Sequence, residues 1–159
     1  MRAAPALLLV LLAACGSAEA TAPGKVGVEV GAQDVAVSPT QFCLDGEGQR
    51  YDTEAPFIEV SPDASISLAV PDSVAERGWS VQVFDNALVE RLGTVDVEAG
   101  TTTYDGINSS DVVPPAFYLV VVEDKGGDCG EFSGAWPIGF IRAGGDLGGT
   151  PSPEPQPQG

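Results

Sequence analysis

The sequence predicts an all-β fold, an antiparallel, immunoglobulin-like β-sandwich of about seven to nine short strands with one short helical turn. Two observations predict it. Apolar residues recur at every second position through the body of the chain, and Gly, Pro, Asp and Asn interrupt them at short intervals. A third is negative: only one segment carries a helix signal, and no internal repeat occurs.

Val26, Val28 and Val30 alternate with Gly27 and Glu29, and Val35 and Val37 resume the alternation after a Gly31-Ala32 turn. Phe57 to Val60, Ser65 to Val70, Trp79 to Val83 and Thr94 to Glu98 repeat the pattern. Pro71 to Gly78 is the helical exception, about one turn, with Asp72 or Ser73 as N-cap and Gly78 as its stop. Phe117 to Val122 is an unbroken apolar run with a β-branched centre, which predicts a central strand buried on both faces. Ala135 to Ile141 alternates again, with Trp136, Ile138 and Phe140 on one register. Pro137 has no N–H to give to a ladder, so this last strand is expected at a sheet edge, open to a protein partner of the cell envelope.

The N-terminus reads as an export signal. Met1-Arg2 is positive and Ala6 to Ala14 is wholly apolar. Nine residues are too few to cross a bilayer, which takes about 20. The run ends in Leu12-Ala13-Ala14-Cys15, which resembles the lipobox of bacterial lipoproteins. The resemblance implies a diacylglyceryl group on the Cys15 thiol and cleavage before it. Two acyl chains hold a protein stably where one is marginal. The expected organisation is a lipoprotein signal over residues 1–14, a flexible tether over 15–24, the sandwich domain over 25–143 and a disordered Pro/Gly-rich tail over 144–159. The expected location is the outer face of the cytoplasmic membrane.

Composition limits the function. In 159 residues, 23 Asp and Glu face 7 Lys and Arg, a net charge of -16, which repels phosphate backbones and argues against nucleic acid as a partner. The absence of His removes the commonest general base and nitrogen ligand. Neither Ser-x-x-Lys nor Gly-x-Ser-x-Gly occurs. The chain therefore reads as a non-enzymatic binding or assembly module that needs no cofactor. The alternatives are a carboxylate-based hydrolase of envelope glycan or peptide, and a calcium-rigidified spacer. For calcium, Asp45, Glu47, Asp52 and Glu54 lie within ten residues.

With Cys15 lipidated, Cys43 and Cys129 remain as a pair, and export predicts a disulfide between them. It would bring Asp124, Asp128 and Glu131 towards the acidic loop, with Arg50 and Lys125 neutralising part of the charge. The spacing departs from a true immunoglobulin domain, since Trp79 follows Cys43 by 36 residues and Cys129 sits among glycines in a loop. Trp79 and Trp136 stand on apolar registers and read as core residues before they read as a sugar-stacking platform.

Pro39-Thr40-Gln41-Phe42-Cys43 resembles the Pro-x-Gln-aromatic-Cys motif of a family of uncharacterised actinobacterial lipoproteins holding a domain of unknown function. Val70-Pro71, Ser73-Val74-Ala75, Trp79 and Trp136 also look like that family, and the resemblance covers about residues 25 to 142. It implies a lipobox signal and one exported domain. It carries no catalytic residue.

Overall fold

The computed structural model describes residues 22–125 and 127–144. The expected signal over 1–14, Cys15, most of the tether and the tail beyond Gly144 lie outside the described residues. Two sheets pack face to face around one core. The smaller sheet runs β2 (Gln33–Val37), β1 (Val26–Val30), β6 (Ser65–Ala69), β9 (Thr103–Asn108). The larger runs β4 (Glu47–Arg50), β3 (Gln41–Leu44), β11 (Ala135–Arg142), β10 (Ala116–Glu123), β7 (Trp79–Asp85), β8 (Arg91–Val97), with β5 (Phe57–Val60) also beside β11. The sandwich class holds, with eleven strands among the described residues.

Alternation places the core. Val26, Val28, Ile66 and Leu68 from one sheet meet Val81, Phe117, Leu119, Ile138 and Phe140 from the other, all of them buried. Phe117 and Phe140, paired across β10 and β11, stack with ring centroids 5.4 Å apart. Trp79 and Trp136 are fully buried, and their ring N–H groups donate to Thr101 O at 2.7 Å and Gly24 O at 3.0 Å. Gly24, placed at the end of the tether, is therefore docked on the domain.

Two hairpins explain two short pairings. Val30 opposes Gln33 across Gly31-Ala32, with Gly31 at φ +59°. Leu44 opposes Glu47 across Asp45-Gly46, both at positive φ, the chemistry of a type I′ turn. The polar flanks Glu47 to Arg50 conceal that second hairpin, so the acidic stretch expected to be a loop contains β4. β9 was concealed by an irregularity. Tyr104 opposes Leu68 and Ile107 opposes Ile66, so three steps on β9 match two on β6 and period 2 breaks.

Four expectations need correction. First, β11 is not an edge strand: β10 pairs along one side, and β3 and β5 occupy the two ends of the other. Thr40 N donates to Ala135 O, Gly139 N to Pro56 O and Ala143 N to Val60 O, so odd-numbered residues of β11 turn their backbone groups to that second side. The N–H that Pro137 lacks would face the interval between β3 and β5, where the ladder needs no donor. Second, β5 runs parallel to β11, so the sheet is not wholly antiparallel. Third, β10 is central but fully buried on one face only; Tyr118, Val120 and Val122 are half-buried on the outer face, where Tyr118 meets Phe57 edge-on at 5.2 Å. Fourth, the helix α1 (Asp72–Arg77) starts from Pro71 with no side-chain cap. The Pro71 carbonyl accepts from Val74 N and Ala75 N, and Gly78 ends the helix at φ +85°, a conformation costly for any residue with a Cβ.

Candidate functional site

One flank of the sandwich carries a groove. β8 is the outer strand of the larger sheet and β9 of the smaller, so the core is uncovered between them. There Val83, Leu92, Val95, Ile107, Val112 and Val113 line a groove of about 400 Å³. Its walls follow from local sequence. β7 and β8 pair regularly from Trp79–Val97 to Val83–Gly93, then shift so that Phe84 opposes Arg91. Leu92 is the extra residue, and the shift turns it into the groove. Gly93 brings no side chain, which keeps the floor deep. On the opposite wall, Asn108 N donates to Asp111 Oδ2 at 2.8 Å and Asp111 N to Asn108 O at 3.0 Å, a tight turn that presents Val112 and Val113. Val112 is buried, whereas Val113 is 89% exposed and Leu92 42%. Large apolar side chains held so open at a concave site leave apolar surface in contact with water.

Asp111 lines the groove, and Glu90, Asp96, Glu98 and Asp105 are exposed on β8, β9 and the segments that flank them, against Arg91. Sequence reading missed the groove because its walls, although near in the chain, belong to different sheets. The one local signal was Val112-Val113-Pro114-Pro115, an apolar pair in a segment with no strand pattern.

The disulfide pole is the second feature. Cys43 in β3 bonds Cys129, the last residue of a 3-10 turn over Gly127–Cys129, with Cα atoms 5.8 Å apart. Asp45, Arg77 and Asp128 line a polar hollow around it. Among the described residues no group of three or more His, Cys, Asp or Glu side chains stands close enough to hold a metal ion. The acids expected to gather for calcium are spread instead over the β3–β4 turn, the loop before β5 and the 3-10 turn, and Arg50 lies over the Phe132 ring at 5.4 Å.

Beside this pole lies a buried ion pair that the sequence did not reveal. Glu123 is 1% exposed; its Oε1 accepts from Arg77 Nη1 and its Oε2 from Gly134 N at 3.1 Å. Every strong acceptor on that carboxylate has a donor, as burial requires. The next residue, Asp124, has its carboxyl raised above the ordinary value, first by burial and then by the charge of Asp96, with Lys125 partly opposing. Tyr118 is raised as well, by burial first and by Glu54 second.

Comparison of the chain with protein-family models, curated proteins and solved structures finds no match.

Proposed function

We propose that this protein is an exported, lipid-anchored binding module of the cell envelope, and that the flank groove between β8 and β9 is its binding surface. The observation that carries the reading is the groove itself, an apolar concavity of about 400 Å³ with Leu92 and Val113 open to solvent and Asp111 in its lining. The lipobox-like Leu12-Ala13-Ala14-Cys15 supports the anchor, at the outer face of the cytoplasmic membrane. The Cys43–Cys129 disulfide supports export, because such bonds persist in oxidising compartments. The resemblance over residues 25 to 142 to actinobacterial lipoproteins belongs to the same reading. The module is non-enzymatic, and its role is to hold a partner near the membrane.

Two measurements test it. Intact mass of the membrane form should show a chain beginning at Cys15 and carrying a diacylglyceryl group; a free thiol there would refute the anchor. A photo-crosslinking residue placed at Val113 should give discrete adducts in intact envelopes, and the same residue at exposed Asp34 on β2 should not. The same adducts from both positions would remove the groove from the account.

A further inference from the structure

The groove has a feature beyond its apolar lining: the strand beside it is an unpaired edge. Asp124 N donates to Gly78 O, and Asp85 N to Glu90 O. On β7, therefore, even-numbered residues turn their backbone groups to β10 and odd-numbered ones to β8. Trp79–Val97, Val81–Val95 and Val83–Gly93 are then the hydrogen-bonded pairs, and Thr94 and Asp96 turn their N–H and C=O groups away from the sheet. Both residues are exposed, and no described residue bonds those outward groups.

Natural edges are blunted by Pro, Lys, shortness or irregularity. β8 is seven residues long, has neither Pro nor Lys, and pairs regularly from Gly93 to Val97. Of the other outer strands, β4 has four residues, and neither it nor β2 lines the groove; β8 breaks register only near its start, at Leu92, whereas β9 breaks it midway along its pairing. A strand added to β8 would extend the larger sheet over the groove. Every second side chain would point at Leu92, Val95 and Val113, and the intervening ones at solvent beside Asp96 and Glu98.

We propose that the groove is filled by strand addition: an extended basic peptide segment pairs along the outer edge of β8. Its alternate apolar side chains enter the groove, and its Lys or Arg side chains lie on the outer face beside the exposed Asp96 and Glu98. Main-chain bonds to Thr94 and Asp96 supply affinity for an extended chain, and the groove and these two acids select which chain. This rests on the reading of the groove as the binding surface. It adds the class of partner, a polypeptide strand of opposite charge rather than a lipid tail or a glycan.

The test uses the full chain in detergent and the synthetic peptide acetyl-Lys-Val-Thr-Val-Lys-Val-Thr-Lys-amide, followed by calorimetry. The peptide should bind saturably, and Thr94→Pro should weaken it at least about tenfold. The N–H that Thr94→Pro removes faces away from β7, so the domain should keep its melting temperature within a few degrees. N-methylation of alternate peptide amides should abolish binding to the unaltered protein, a result independent of any variant's folding. Added salt should weaken binding, because the attraction between the exposed acids beside β8 and the peptide is screened. Absence of saturable binding overturns the proposal. Equal binding by the N-methylated peptide overturns strand addition, and if Val113→Lys still abolishes binding, the groove survives as the site. Binding untouched by both Val113→Lys and Thr94→Pro overturns the reading of the groove as well.

Discussion

At the scale of single residues, Glu123 is the most consequential side chain outside the hydrophobic core. It sits at the end of the apolar run of β10, where the sequence shows only a strand stopping at a charge. Its partner Arg77 lies 46 positions earlier, on α1, and no local pattern links them. Arg77 reaches solvent, whereas Glu123 does not, so removing Arg77 leaves a buried carboxylate unpaired, which costs about 3 kcal/mol. Arg77→Ala should lower the stability measured by urea unfolding by about that much, because Glu123 then keeps only the Gly134 N–H as a donor. Asp124 behaves in the opposite sense. Its raised pKa means that folding favours the protonated form, so this contribution is fully present below the ordinary carboxylate range and is lost as pH rises through the raised value. Asp124→Asn should therefore gain on the wild type in melting temperature between about pH 3 and about pH 7. A difference that stays constant across that range would show that the burial and the Asp96 charge have no effect on folding.

At the scale of elements, the strands with clean alternation were legible and those set by tertiary pairing were not. β1, β6, β7 and β11 have bounds readable from Val, Ile and Trp at every second position. β9 was illegible because its inward residues Tyr104 and Ile107 are three apart. Pro137 was read correctly as a residue needing no ladder donor but assigned to the wrong place, since an interior strand can meet that need where two neighbours leave an interval. The disulfide was legible from the two cysteines that remain once Cys15 is set aside for lipidation, and from the export signal. It ties the 3-10 turn to the β3–β4 hairpin, at the outer end of the larger sheet. Closing a loop 86 positions long restricts the unfolded chain by about 4–5 kcal/mol in the chain-entropy model. Cys43→Ala combined with Cys129→Ala should lower unfolding stability by several kcal/mol and speed amide exchange in β3 and β4 before the central strands. An unchanged denaturation midpoint would mean that the hairpin is held by its other contacts alone.

At the scale of the whole molecule, the sequence defined the class and the expected address, and the structure supplied the surface. A sandwich made of two unequal sheets must leave some flank uncovered, and here that flank combines an apolar groove, exposed acids on β8 and a strand edge whose outward backbone groups no described residue bonds. None of these is visible in linear sequence, because the groove joins β7, β8, β9 and the turn after it. The negative charge, legible at once, includes Asp96 and Glu98, exposed beside the outer edge of β8, where a bound strand of positive charge would meet them. Hydrogen–deuterium exchange of the full chain, with and without solubilised envelope membranes, measures this account most directly. Protection on adding membranes should be confined to the Thr94 and Asp96 amides of β8 and to the groove wall from Ile107 to Val113. Unchanged exchange there, or protection at the β3–β4 hairpin and the 3-10 turn instead, would contradict it.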